Sequence, residues 1–448
     1  MSGSARVVEY CVLLPHTTQP RLLCLPGEDG WSLPSWRSST PAYWQTVHHV
    51  NEQVRDLFGL GVTTLRCLGT ANQPGAGRAR RWYELENHSP DAQPIRGTWM
   101  GQEVVERLAQ PEQRQMAQGW FEECTRGVPA RRRSWARHGW YAEAAAWIST
   151  HLAVSGSPAV GPVEQLRTWE RGCVLRVSTA CGRRYFKALP ALFAHEIALV
   201  EALAHQHPAH LVRLLHSDRD RGWMLMSDLG DHTLDHRSQP VGLEDALRLF
   251  AHLQRSTAHQ AARWLKLGCP NRDLKWLIGQ VDPLFAALPT YPGFEPTEIE
   301  RIRALADQLK RAAYDLTTCE VPLAIDHGDF HPSNVFVGRG TYVYADWTDS
   351  SLAHPFFSAA QFLASLRESA SARNATDGHD EHARLRDAYL EAWTGYASGE
   401  RLRDVFHLAD QIMPLHRALA YHTDILPAME ARWEMEYMVS YYLKQLLQ

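Results

Sequence analysis

The chain lacks any pair of cysteines at the C-x-x-C spacing: its eight cysteines (Cys11, Cys24, Cys67, Cys124, Cys173, Cys181, Cys269 and Cys319) are dispersed over 448 residues. That excludes the common zinc and dithiol redox sites and predicts a reduced, cytoplasmic protein. Also missing is an uncharged apolar run long enough to span a membrane. Residues 1–14 have neither the basic segment nor the apolar stretch of a signal peptide, so no membrane insertion or export is expected. An excess of one charge is absent too: 46 Lys and Arg stand against 50 Asp and Glu, a formal net charge of -4. There is no basic footprint for nucleic acid, and charge nominates no partner. No repeat or low-complexity tract stands out. What remains is an ordinary globular composition, 45% hydrophobic and 21% charged, at a length that favours two or three domains.

Along the chain, apolar runs at 6–14 and 21–25 bracket Pro15 and Pro20 and predict two strands joined by a loop. Thr40-Pro41 has the form of a helix start. Trp44, Val47, Val50, Val54, Leu57 and Phe58 then recur at helical spacing until Gly59 and Gly61 stop the pattern. Strand-like runs at 63–68 and 80–86 flank a loop at 72–77, so one α/β domain is expected over 1–126. The basic stretch 126–133 predicts an exposed linker, followed by a Trp-rich helix over 134–152, which places a linker region at 127–158. Beyond it, paired strands at 174–177 and 184–189 turn at Cys181-Gly182. A helix at 192–205 and strands at 212–216 and 223–227 complete a small β-rich lobe over 159–228. Residues 229–448 read as mainly helical, broken near residue 328 by a loop and a hairpin, 335–337 with 342–345.

That break carries the chemistry. His327-Gly328-Asp329-Phe330-His331-Pro332-Ser333-Asn334 leads into the strand Val335-Phe336-Val337, and the returning strand ends in Asp346-Trp347. Phosphoryl transfer asks a protein for one carboxylate to orient and deprotonate a hydroxyl, and for hard oxygen ligands to hold Mg²⁺ on nucleotide phosphates. A loop, a strand and its hairpin partner can deliver Asp329 as the base, Asn334 as one metal ligand and Asp346 as the main one, all toward one cleft. Upstream, Tyr185-Phe186-Lys187 ends a strand with a lysine, and Glu196 lies in the following helix. A lysine held by a helix glutamate is a usual grip on nucleotide phosphates, although either residue alone has a plain surface reading.

Together, HGDFHPSN followed by ADW, with YFKA and HEIALVEAL upstream, resemble the aminoglycoside phosphotransferase and choline kinase family over residues 160–448. The resemblance implies a bilobal protein-kinase-like fold with a small β-rich lobe and a large helical one. It implies ATP or GTP with Mg²⁺, a small hydroxylated molecule as acceptor, Asp329 as catalytic base, Asn334 and Asp346 as metal ligands, and Lys187 with Glu196 at the nucleotide phosphates. One departure stands out: Ser358 replaces an aspartate that in relatives braces the catalytic loop, which predicts a loop held less firmly. The segment Arg171-Gly172-Cys173-Val174 is a poor match to a glycine-rich nucleotide loop.

Asn271-Arg272-Asp273-Leu274-Lys275 imitates a protein-kinase catalytic loop, but the position five after Asp273 is Ile278, which cannot bind a metal. Asp273 is expected to cap a helix instead. The first domain is similar in layout to a Nudix hydrolase fold, with Trp31-Ser32-Leu33-Pro34 before the helix ending at Gly59. Of the box's metal carboxylates only Asp56 is in place, so no hydrolysis is expected. Near the end, Asp424, Glu430, Glu434 and Glu436 sit with Trp433 and Tyr437. In relatives that take cationic sugars such carboxylates bind amines; the plainer reading is a charged outer helix face. Two functions therefore stand side by side: a small-molecule kinase, and a catalytically weak nucleotide-binding regulator or scaffold of the same fold.

Overall fold

The computed structural model describes residues 7–40, 42–73, 78–90, 92–236, 242–338, 340–372 and 379–448. The centre of the loop expected at 72–77, together with Pro41 and Arg339, lies outside them. The chain divides into two compact units, Met1–Pro190 and Ala191–Gln448. The division falls inside the segment 159–228.

In the first unit, an apolar run buried from Tyr10 to Leu13 builds β1 (Val7–Leu13), and Leu22–Gly27, Gly30–Ser32 and Ser35–Ser38 form β2, β3 and β4. Next come α1 (His48–Phe58), β5 (Val62–Gln73), β6 (Arg78–Asn87) and β7 (Thr98–Met100). Two sheets result, ordered β4-β1-β6-β5 and β3-β2-β7. The first is mixed, because β1 runs parallel to β6 and antiparallel to β4. The first two strands therefore do not form one hairpin ladder, although the Leu23 N–H bonds the Leu14 carbonyl at 2.9 Å where they meet. α1 buries Val50, Val54 and Phe58 at helical spacing and ends at Gly59, whose φ of 72° suits glycine.

The helix expected from Thr40 begins only at His48. Residues just before it are taken by a distant strand, β8 (Glu164–Trp169). Val47 N donates to Leu166 O at 2.9 Å and Thr168 N to Gln45 O at 3.0 Å, which keeps this segment out of the helix. α2 (Pro111–Arg126) follows β7. The basic stretch after it is not wholly exposed: Arg132 is buried and makes a two-pronged bond to Glu123, both contacts at 2.8 Å, and Arg133 pairs with Glu170 at 2.9 Å. The Trp-rich helix is also shorter than expected. A single turn, Ser134–Ala136, is followed by Gly139 in a left-handed conformation, and α3 starts at Trp140 and runs to Val154. With β8, β9 (Gly172–Thr179) and β10 (Gly182–Ala188) make an antiparallel ladder in which Lys187 pairs with Val174.

The second unit opens with α4 (His195–Gln206) and the hairpin of β11 (Leu214–Asp218) with β12 (Trp223–Ser227). Helices α5 (Leu243–Thr257), α6 (Ala261–Lys266), α7 (Leu274–Ala287), α8 (Pro296–Ala304) and α9 (Ala306–Thr317) come next. Four short strands interrupt them: β13 (Ala324–Asp326), β14 (Val335–Gly338), β15 (Thr341–Tyr344) and β16 (Ser351–Ala353). β13 pairs with β16 and β14 with β15. The chain closes with α10 (Phe356–Ala372), α11 (His379–Leu390), α12 (Gly399–Ala420) and α13 (Tyr437–Gln445). Asp273 caps α7 as its sequence implied, accepting from Trp276 N at 2.7 Å. Among the described residues no helix is long and apolar enough to cross a membrane.

Candidate active site

The loop between β13 and β14 is anchored by two buried aromatic rings. Phe330 stacks on Phe250 of α5 with ring centroids 3.9 Å apart and touches Phe362 of α10 at 4.8 Å. Burying such a ring stabilises the loop by roughly 1.5–3 kcal/mol, so Phe330 holds the residues on either side of it in place. His327 is fully enclosed, and burial lowers its pKa to about 4, which keeps it neutral. Its Nε2 donates to Ala345 O at 3.1 Å while Nδ1 accepts from Asp329 N at 3.3 Å. One imidazole thus ties the loop to the end of β15, immediately before Asp346. Gly328 has a φ of 75°, and a Cβ there would meet Asp349 O at 2.2 Å. Only glycine allows that approach.

Asp329 follows, with its side chain about one-third exposed at 34%. Its Oδ2 lies 3.7 Å from His331 Nε2, and its Oδ1 accepts from Gln361 Nε2 at 3.4 Å. Burial works to raise its pKa, but the bond and charge of His331 outweigh burial and hold the carboxyl below its ordinary value. His331 is shifted up in return: burial opposes its charge, and Asp329 with Asp346 and Asp235 more than restores it. Asn334 closes the loop on itself by donating from Nδ2 to Asp329 O at 2.9 Å. Asp346 is exposed at the end of β15, in a left-handed conformation with φ 64°.

Glu196, on α4, is buried and reaches the same corner. The Thr348 hydroxyl lies 2.7 Å from Glu196 Oε2 and 2.6 Å from Asp346 Oδ1, so one hydroxyl serves two carboxylates. Next to Glu196, His195 bonds Ser350 O at 3.1 Å, and burial lowers its pKa to about 4. The second unit therefore gathers Asp329, Asn334, Asp346 and Glu196. Lys187 lies on β10 of the first unit.

The loop is braced, contrary to what Ser358 suggested. Ser358 Oγ accepts from His327 N at 3.0 Å and from Gln254 Nε2 at 3.2 Å, and donates to the buried Asp326. The carboxylate of this brace is Asp326, and serine joins it to the loop backbone. Burial shifts Asp326 upward, and its Oδ2 has no partner among the described residues.

Three further groups support the site and were not found from sequence. Gln361 faces Asp329. Arg417 on α12 pairs with Asp349 at 2.8 Å, both fully buried, and its charge helps lower Asp329. Arg272, beside the false catalytic Asp273, bonds Asp349 O at 3.2 Å and Asp424 at 2.8 Å. Asp424 is thus held by an arginine, and Glu434 is buried, so neither lies on a charged outer face.

Residues 165–402 match a profile of enzymes that transfer phosphoryl groups, described as "Phosphotransferase enzyme family". That is more than half of the sequence, and the chain belongs to this family, a class of small-molecule kinases. A search of curated proteins finds no match. Among solved structures, a macrolide 2'-phosphotransferase from Brachybacterium faecium is 14% identical with a TM-score of 0.45, covering 66% of this chain and 98% of its own. A choline/ethanolamine kinase family protein from Mesorhizobium loti is 14% identical with a TM-score of 0.45, covering 69% of this chain and 95% of its own. An amicoumacin kinase, in complex with AMP-PNP and Ca²⁺, is 12% identical with a TM-score of 0.44, covering 63% of this chain and 87% of its own. At these scores the family membership rests on the profile.

Proposed function

We propose that the protein transfers the γ-phosphate of ATP or GTP to a hydroxyl of a small molecule, with Asp329 as the base. The observation that carries this reading is the state of Asp329. Its carboxylate is partly open to solvent, is held ionised by His331, and sits on a loop pinned by Phe330, His327 and Ser358. An ionised, fixed carboxylate can accept the acceptor's proton as the oxygen attacks, and positioned acid–base groups contribute about 10²–10⁴ in rate. His331, shifted toward its charged form, balances negative charge beside it.

Asn334 and Asp346 fit Mg²⁺ by the chemistry of their donors. The Asn334 amide nitrogen is committed to Asp329 O, which leaves its oxygen as the donor it can offer, and Asp346 is an exposed carboxylate. No group of three or more His, Cys, Asp or Glu side chains suited to a metal occurs among the described residues. That is compatible with Mg²⁺, which commonly takes one or two protein oxygens and completes its shell with phosphate oxygens and water. When bound, the ion would neutralise charge on the nucleotide phosphates. Lys187 takes the phosphates in this reading, and Glu196 joins α4 to Asp346 through Thr348.

Residues 159–228 and 229–448 would be the smaller and larger lobes, 127–158 the connection, and 1–126 a non-hydrolytic Nudix-like domain of a cytoplasmic enzyme. The regulatory alternative drew on Ser358 and on a fused first domain without its own chemistry; the brace through Asp326 answers the first of these. The test is a screen of hydroxylated metabolites and aminoglycosides for acceptor-stimulated, Mg²⁺-dependent release of ADP or GDP. Stimulation by at least one acceptor is expected. A silent screen with Mg²⁺-nucleotide bound would favour the regulatory reading.

A further inference from the structure

We infer that Gln165 is a positioning residue for Lys187, through which the N-terminal sheet clamps the strands that carry the lysine. The inference rests on the reading of Lys187 as a nucleotide-phosphate ligand. It starts from an irregularity in two strands at one place. The ladder of β5 with β6 shifts register between Thr64 and Arg66, and that of β8 with β9 shifts between Gln165 and Arg167. A bulge leaves one residue per strand out of its own ladder, here Leu65 and Leu166. Each spare carbonyl is satisfied across the junction: Leu65 O accepts from Thr168 Oγ1 at 3.3 Å, and Leu166 O accepts from Val47 N at 2.9 Å.

Between the bulges lies the buried side chain of Gln165. Its Oε1 accepts from Thr64 N at 2.7 Å and its Nε2 donates to Thr64 O at 2.7 Å, so the amide reproduces both bonds of an antiparallel strand pair. Asn51 of α1 completes the knot, donating to Gln165 Oε1 at 3.1 Å and accepting from Thr64 Oγ1 at 2.8 Å. Every polar group of this buried cluster has a partner, the condition under which such a network fixes one geometry.

The route from the knot to the lysine is short. Gln165 pairs with Leu175, and Leu175 with Phe186, the residue before Lys187. One row over, Thr46 bridges Arg167, Arg167 pairs with Val174, and Val174 pairs with Lys187. The side chain of Phe186, on the opposite face of the strand from Lys187, is buried against Trp140 and Trp147 of α3 at 6.2 and 5.7 Å. The strand bearing Lys187 is therefore tied to residues 45–65 along two rows and backed by α3. β8, which would otherwise be an open sheet edge, is covered by the N-terminal domain.

The test uses the full chain and Mg²⁺ with AMP-PNP as probe. Dissociation constants are measured well below the unfolding temperature for wild type, Lys187→Ala, Gln165→Met and Thr168→Val. Gln165→Met keeps the volume and removes the amide, and Thr168→Val removes the hydroxyl that bonds Leu65 O while leaving the Gln165 amide in place. Lys187→Ala is expected to weaken AMP-PNP at least tenfold, Gln165→Met about fivefold and Thr168→Val about twofold. Amide exchange at Phe186 and Lys187 should quicken in Gln165→Met and less so in Thr168→Val, while Phe186 in Lys187→Ala should exchange as in wild type. If Lys187→Ala leaves AMP-PNP binding unchanged, the lysine reading fails and the inference falls with it. If Lys187→Ala weakens binding while folded Gln165→Met and Thr168→Val bind as wild type, the lysine reading stands and the clamp is refuted, leaving Gln165 a purely structural residue. Should Gln165→Met not fold, the Thr168→Val comparison decides alone.

Discussion

Replacing Ser358 by alanine removes one oxygen and disturbs the whole rear of the loop that carries Asp329. Gln254 keeps other acceptors, Ile325 O at 2.9 Å and Pro355 O at 3.2 Å, and is not stranded. His327 N–H loses its acceptor at 3.0 Å, and Asp326 loses the hydroxyl on Oδ1 while its Oδ2 already lacks a partner among the described residues. Each buried group left unsatisfied costs about 1–3 kcal/mol, so two such groups set the expected loss at roughly 3 kcal/mol. Urea unfolding at neutral pH, followed by tryptophan fluorescence, should show a lower midpoint at unchanged slope. Turnover should fall further than nucleotide affinity, because the loosened residues adjoin Asp329. Ser358→Asp alone places a second carboxylate against Asp326 and should be worse, whereas combining it with Asp326→Ser exchanges the two partners and should recover most of the loss. A Ser358→Ala variant within 0.5 kcal/mol of wild type, an order-of-magnitude threshold for an inconsequential substitution, would refute the brace.

Other substitutions test separate parts of the site. His331→Gln removes the largest influence that lowers the Asp329 pKa, leaving burial and Asp349 to raise it against Arg417 alone among the named groups. The acid limb of the rate profile should move to higher pH, so activity is lost earlier as pH falls; an unmoved limb would contradict the pairing. Arg417→Met leaves the Asp349 carboxylate buried without its guanidinium and should cost about 3–5 kcal/mol in unfolding experiments. Gly328→Ala combines a left-handed backbone with a Cβ at 2.2 Å from Asp349 O and should lower the melting temperature sharply and abolish turnover. Wild-type behaviour of that variant would show that the loop approaches Asp349 less closely.

The elements carrying the motif were legible because their signals are local. The hairpin of β14 and β15 and the Asp273 cap are each set by neighbours within a few residues, whereas β13 was not read because its partner β16 lies more than twenty residues on. What was not legible depends on partners far along the chain. α1 starts late because β8, more than a hundred residues on, claims Gln45 and Val47. Ser358 read as a loss because its compensation, Asp326, lies 32 residues upstream. An aspartate directly before a catalytic-loop histidine was the available signal. Asp424 read more plainly as part of a charged outer helix face than as a carboxylate for a cationic acceptor, yet Arg272, 152 residues earlier, holds it. Arg417 gave no sequence signal, since neither its burial nor its pairing with Asp349 follows from helical periodicity.

The central claim is that Asp329 serves phosphoryl transfer to a small-molecule hydroxyl. The most direct measurement is phosphate incorporation into an acceptor identified by the screen, followed by ³¹P NMR with Mg²⁺ and saturating nucleotide, for wild type, Asp329→Ala and Asp346→Ala. Wild type should form a phosphate ester. Asp329→Ala should bind nucleotide normally yet lose transfer by a factor of about 10²–10⁴, and Asp346→Ala should lose Mg²⁺-supported turnover. Transfer by Asp329→Ala at the wild-type rate would contradict the account.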